Sequence, residues 1–129
     1  MDERERAKTG LAMRRKVLGK AWVDRAEANL NSFNSEWQDT INRSPWGDIW
    51  TRPHFDERTR RILVMGTMIA LGRWEEFRLH VRAALTEAGF TADDIKEVIL
   101  QQAVYAGVPA GNHAFKLAEE ILKEHGKLP

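Results

Sequence analysis

The chain of 129 residues contains no cysteine. This absence excludes disulfide bonds, thiolate catalysis, Cys-x-x-Cys redox chemistry and sulfur-ligated metal sites. The four histidines do not supply a metal pattern either, because no His-x-x-x-His pair occurs and His54 with Glu57 has no evident third ligand. We therefore expect no bound metal.

The sequence also lacks a block of charge of one sign and a long apolar run. Its net charge is +1, and no cluster of lysine or arginine indicates a nucleic-acid partner. No apolar stretch reaches the roughly 18 residues that a membrane span needs. The N-terminus lacks the basic-then-apolar order of a signal peptide. We expect a cytoplasmic protein with neither a nucleic-acid nor a membrane partner.

Prolines are few, and the alternating pattern of a half-buried strand is nearly absent. The composition, 43% hydrophobic and 30% charged, is that of an ordinary globular protein. We predict an all-α protein of one domain, residues 1–129, with about six helices in a small orthogonal or antiparallel bundle. The predicted helices are 3–18, 24–42, 56–71, 73–88, 91–105 and 110–125, with a short element opened by Ser44-Pro45 and a turn at 107–109.

Three polar residues interrupt the most hydrophobic part of the chain. Arg73, Glu76 and His80 follow the apolar run 62–71 at a spacing of i, i+3 and i+7, which places them along one helix face. An imidazole titrates near pH 6.5, so His80 could transfer a proton at neutral pH, with Glu76 setting its tautomer. The alternative is a purely structural Glu–His pair.

Other candidates lie on either side of this stretch. Trp46 and Trp50 fall on one face of a short element and could form the wall of a pocket, or they could be core or subunit contacts. His113 starts the last helix, where free backbone N–H groups favour an anion, although a packed structural histidine fits as well. Arg73 could bind a carboxylate bidentately, or belong to a solvated charged face.

Five segments, taken in order along nearly the whole chain, resemble the carboxymuconolactone decarboxylase family. They are Trp-Gly-Asp-Ile-Trp-Thr-Arg-Pro at 46–53, Thr-Arg-Arg at 59–61, Arg-Leu-His-Val-Arg-Ala-Ala at 78–84, Ile-Lys-Glu-Val at 95–98, and Tyr-Ala-Gly-Val-Pro-Ala-Gly-Asn-His-Ala-Phe at 105–115. The wider family contains alkylhydroperoxidase D-like proteins with two catalytic cysteines, a histidine and a glutamate. Here the histidine position is His80, but Arg73 and Glu76 occupy the cysteine positions and Arg61 the glutamate position, so peroxidase activity should be absent.

The resemblance implies an alkylhydroperoxidase D-like fold and the decarboxylation of a dicarboxylate lactone, with the lactone carbonyl as electron sink and no cofactor. It favours His80 as proton donor oriented by Glu76, with Arg73, His113, Trp46 and Trp50 contacting the substrate. It also implies a homo-oligomer, commonly a hexamer. Two alternatives stay open: a related enzyme acting on another lactone or keto acid, and a non-catalytic oligomeric binding protein.

The predicted helix at 56–71 supports assembly independently of this resemblance. Its second half is apolar around most of its circumference. Such a helix is buried on several sides. One chain of this length does not readily supply enough packing surface to cover all of them. Contacts with further copies of the chain would bury the remainder.

Overall fold

Helices make up nearly the whole chain in a computed structural model that describes residues 1–129. The chain contains no strand, which confirms the all-α prediction, and no helix is long and apolar enough to cross a membrane. The elements are α1 (Glu3–Leu18), α2 (Lys20–Ala28), α3 (Ser35–Ile41), a π-helical segment (Asn42–Ile49), α4 (Glu57–Leu71), α5 (Trp74–Glu87), α6 (Ala92–Ala106) and α7 (Val108–Glu124).

The chain forms two compact units, residues 1–57 and residues 58–129. In the first unit, α1 packs closely against the π-helical segment. Gly10 makes this crossing possible, because a Cβ atom there would overlap the carbonyl oxygen of Asn42 and lie 2.7 Å from the backbone nitrogen of Gly47. The predicted first helix, 3–18, is confirmed.

The predicted single helix 24–42 is wrong, because α2 begins at Lys20, directly after Gly19, and ends at Ala28. Asp24 is therefore not a cap. Asparagine side chains break the helix by bonding to nearby backbone: Oδ1 of Asn31 accepts from the N–H groups of Phe33 and Asn34. Such local bonds compete with helical ones.

Ser44 and Pro45 do not open a new helix, contrary to the prediction. They lie inside the π-helical segment, which continues directly from α3 without a cap. The wide turn is visible in the bond from the N–H of Trp50 to the carbonyl of Pro45, five residues earlier. The sequence pattern of a cap followed by proline is misleading here because the preceding helix does not end.

The second unit has one apolar core, to which α4, α5, α6 and α7 contribute. Gly72, with φ of +68°, separates α4 from α5 as predicted, and the predicted capping box of Thr91 and Asp94 starts α6. The predicted three-residue turn at 107–109 is wrong. Gly107 alone, with φ of +108°, makes the turn, because Pro109 is tolerated in the first turn of α7.

Candidate active site

His80 lies on the buried face of α5 and keeps only 8% of its surface exposed. Phe77, Val81 and Ala84 are the buried apolar residues around it on the same helix. Its Nδ1 atom is buried and has no hydrogen-bond partner. Nearly all buried polar atoms in folded proteins have such a partner, so the unpartnered imidazole nitrogen is unusual and makes His80 a candidate functional residue.

The charge that acts on His80 comes from Arg61. This arginine is on α4, and its side chain is completely buried. Burial, and next to it the positive charge of Arg61, lowers the pKa of His80 to about 4. The imidazole is therefore neutral at pH 7 in the protein without a ligand, and an anion placed near it would favour its protonation.

Glu76 and Arg73 lie outside this buried pair. Glu76 is one turn before His80 but is exposed, and no hydrogen bond or ion pair joins its carboxylate to the imidazole. Arg73 is exposed and caps α5 from a non-helical backbone conformation, so it is not part of the helix face that carries His80. The roles predicted for these two residues stay predictions.

His113 is brought together with Trp74. The two rings stack with centroids 4.3 Å apart and planes at 22°, and Trp74 meets Phe77 edge to face at 5.8 Å. His113 is exposed at the start of α7. The stack fixes the plane of the imidazole at the surface of the second unit, where it remains accessible to a ligand.

Trp46 and Trp50 are both in the first unit. Their rings stack with centroids 5.0 Å apart, as their predicted common face requires. Trp46 is buried and Trp50 is partly exposed. The first unit also contains a buried cation. Arg14 on α1 is 4% exposed, and its Nη1 donates to Oδ1 of Asn42 at 3.2 Å.

The sequence profile of the Carboxymuconolactone decarboxylase family matches residues 35–120. The chain belongs to this family. The match covers His80, Arg61, Trp46 and Trp50.

Among individual relatives, the chain is 43% identical over all 129 residues to 4-carboxymuconolactone decarboxylase from Acinetobacter baylyi, of which the match covers 96%. It is 33% identical over 115 residues to nitrosuccinic acid decarboxylase from Metarhizium robertsii, covering 89% of this chain and 80% of the relative. A 48-residue match to 4-carboxymuconolactone decarboxylase from Pseudomonas putida, 37% of this chain and all of the relative, is 50% identical.

Two arginines, Arg61 and Arg14, are buried although the sequence analysis did not predict their burial. Arg61 occupies the glutamate position of the thiol enzymes, on a helix that is strongly apolar. Arg14 gave a clearer signal: it shares the buried face of α1 with Gly10, Val17 and Leu18 at helical spacing.

Proposed function

We propose that this chain catalyses the cofactor-independent decarboxylation of 4-carboxymuconolactone to 3-oxoadipate enol-lactone in protocatechuate catabolism. The observation that carries the proposal is the full-length similarity to a relative of that name, at 43% identity over every residue of the chain. The buried His80–Arg61 pair supplies a group that can deliver a proton and a charge that can attract an anionic substrate.

The substrate has its own electron sink. Its saturated ring carbon next to oxygen bears a carboxylate and an acetate arm, and the two ring carbons between it and the lactone carbonyl form a double bond conjugated with that carbonyl. When the carbon–carboxylate bond breaks, its electron pair moves through the double bond onto the lactone oxygen and carbon dioxide leaves. One proton then adds to the carbon beside the carbonyl and gives the enol-lactone. The protein has to hold a dianion, stabilise the developing oxyanion and deliver that proton.

His80 is the proton donor in this proposal. The imidazole is neutral while the site is empty, and the two negative charges of the substrate raise its pKa so that it takes up a proton from water. The imidazolium gives this proton to the ring carbon and returns to the neutral state. Arg73 and His113 attract carboxylate or oxyanion groups of the substrate. Glu76 is exposed and makes no bond to the imidazole here, so its predicted orienting role requires its carboxylate to turn towards the imidazolium. Trp46 and Trp50 stay predicted substrate contacts.

Turnover by histidine variants tests this assignment. His80→Ala should lower kcat by at least about 100-fold, because general acid catalysis of this kind contributes that much or more. His125→Ala is the matched control: its Nδ1 contacts the carbonyl of Ile121 at 2.8 Å at the end of α7, away from any proposed role. Equal rates for the two variants would contradict the role of His80.

The second candidate is a decarboxylase for another dicarboxylic acid. The nitrosuccinic acid decarboxylase from Metarhizium robertsii favours it, because that name also describes loss of carbon dioxide from a dicarboxylate with an electron-withdrawing group. A side-by-side comparison of kcat/KM for 4-carboxymuconolactone and nitrosuccinate separates the two. A ratio above about 100 for the lactone supports the first candidate, since one or two pocket contacts produce discrimination of that size.

A homo-oligomer, with six copies as the expected number, is part of the same proposal. Large hydrophobic side chains remain exposed on α4 and α6: Ile62, Leu63, Leu71, Leu100, Val104 and Tyr105. A groove of about 720 Å³ runs between these two helices. A second copy would bury this surface. Light scattering at micromolar concentration should report a mass several times that of one chain, and a monomer would contradict assembly.

A further inference from the structure

Trp74 is the first residue of α5, and the core of the second unit holds its indole ring in place. Its ring meets the ring of Phe77 edge to face, with centroids 5.8 Å apart and planes at 87°. Phe77 is completely buried, whereas Trp74 packs against the same apolar core and keeps part of its surface exposed. Packed interiors leave large rings little room to rotate. The indole is therefore a fixed platform at the edge of the core.

The imidazole of His113 rests on this platform. The two rings are 4.3 Å apart at their centroids and lie within 22° of parallel. His113 is otherwise exposed, and neither ring nitrogen has a hydrogen-bond partner within the protein. The backbone near it is also fixed, because a Cβ atom on Gly111 would lie 2.8 Å from the Cβ atom of Ala103, so α7 is seated closely on α6. The result is a held imidazole whose nitrogens are available to a ligand.

A fixed ring plane sets the direction in which His113 binds. The N–H bonds of an imidazole lie in the plane of the ring, and a hydrogen bond weakens steeply when its donor is misaligned. An exposed histidine without a stacking partner samples several rotamers and loses that freedom when it binds a ligand. Because His113 is already stacked, most of this ordering is complete before a ligand arrives.

The same helix carries the proposed proton donor. Phe77 lies one turn after Trp74 on α5, and His80 follows about one turn later on the buried face. Six residues of helix correspond to a rise of about 9 Å between Trp74 and His80. α5 thus supplies both the imidazole that would transfer the proton and the ring that orients the second imidazole.

We propose that Trp74 is a positioning residue that holds His113 in the orientation in which it binds a negatively charged oxygen of the substrate. The inference rests on the proposed function, in which His113 attracts a carboxylate or the developing oxyanion. Trp74 acts through His113 and needs no contact of its own with the substrate. Its contribution therefore depends on the presence of the imidazole.

A double-mutant cycle tests this dependence through kcat/KM for 4-carboxymuconolactone. His113→Ala should lower kcat/KM by about 10- to 100-fold, the usual loss for a hydrogen bond to a charged group. Trp74→Leu should lower it by about 2- to 10-fold, because the imidazole then has to be ordered during binding. In the His113→Ala background, Trp74→Leu should have no further effect beyond about twofold, since the two residues act as one unit.

Two control variants separate positioning from general support of the core. Phe115 is an aromatic residue of α7 that packs against the same core. Phe115→Leu should leave kcat/KM within about twofold of wild type, because packed cores tolerate such hydrophobic exchanges. Trp74→Phe keeps an aromatic face for stacking, so its kcat/KM should lie closer to wild type than that of Trp74→Leu.

NMR spectroscopy gives a second readout that does not depend on turnover. In the wild type, the ring protons of His113 should show nuclear Overhauser effects to the indole of Trp74. Titration with succinate, a dicarboxylate probe, followed at these ring signals measures anion binding, and Trp74→Leu should bind about 2- to 10-fold more weakly than wild type. If the wild type does not turn over 4-carboxymuconolactone, the proposed function fails, yet this titration still decides whether Trp74 positions an anion-binding His113.

Three results would overturn the inference. The first is a double variant in which the losses of the two single variants multiply, as they would if Trp74 only supported the core. The second is wild-type kcat/KM in either Trp74→Leu or His113→Ala. The third is a wild type whose His113 signals do not respond to succinate. If Trp74→Leu does not fold, Trp74→Met fills more of the apolar volume and takes its place in the cycle; the absence of contacts between the two rings in the wild-type spectrum also contradicts the inference.

Discussion

Acid should destabilise this protein through His80 specifically. The imidazole has a pKa of about 4 in the folded chain, against 6.5 for an exposed histidine. As the pH falls below 6.5, the unfolded state takes up a proton before the folded state does, so folding stability decreases until the pH reaches about 4. At about 1.4 kcal/mol for each pH unit, His80 alone should remove about 2 to 3 kcal/mol between pH 7.5 and 4.5.

Urea unfolding at fixed protein concentration, repeated across this pH range, measures the effect. His80→Gln is the informative variant, because glutamine fills similar space and does not titrate. The free energy of unfolding of the wild type should fall more steeply with decreasing pH than that of the variant. The difference between the two, wild type minus variant, should decrease by about 2 to 3 kcal/mol between pH 7.5 and 4.5. His125→Gln provides the control and should follow the wild type. Parallel curves for the wild type and His80→Gln would show that the imidazole is not held neutral by burial and charge.

Three further predictions concern the contacts around the site and in the fold. Arg61→Met should raise the pKa of His80 only in part, because burial remains the larger cause; NMR titration of the imidazole measures it. Gly10→Ala should destabilise the first unit by at least about 2 kcal/mol in urea unfolding, because the added Cβ overlaps the carbonyl oxygen of Asn42. Thr91→Ala should cost about 1 kcal/mol in the same assay, because α6 loses its capping box.

Each of these has a clear contrary result. An unchanged pKa in Arg61→Met would mean that the arginine does not act on the imidazole. A Gly10→Ala protein as stable as wild type would show that α1 moves away from the π-helical segment at little cost. Stability unaffected by Thr91→Ala would mean that the start of α6 depends on packing alone.

The helices of the second unit were predictable because their signals are local. Apolar periodicity, the glycine after α4 and the capping box before α6 all act within a few residues, and each is present in the structure. The first unit was less predictable. Asn31 breaks the expected long helix through side-chain bonds, and Pro45 lies inside a π-helical turn. Both outcomes depend on bonding patterns that periodicity does not encode.

The candidate site, like the fold, was predictable only where the sequence signal is local. His80 was predicted because an imidazole in an apolar helix is visible in the sequence. Its electrostatic neighbour Arg61 was not, since the effect of its charge depends on α4 and α5 sharing one core, and a residue 19 positions away has no fixed spacing to the histidine. Glu76 was favoured because it is one turn away, yet it points to the surface. Local spacing selects possible neighbours, and packing decides which of them share a buried environment.

The most direct test of the account is turnover of 4-carboxymuconolactone by the purified protein, measured by ultraviolet absorbance without added cofactor. His80→Ala and His125→Ala are measured in parallel. The account predicts fast conversion by the wild type and His125→Ala, and a loss of at least about 100-fold in His80→Ala. Full activity in His80→Ala would show that another group donates the proton. No conversion by the wild type would contradict the proposed function.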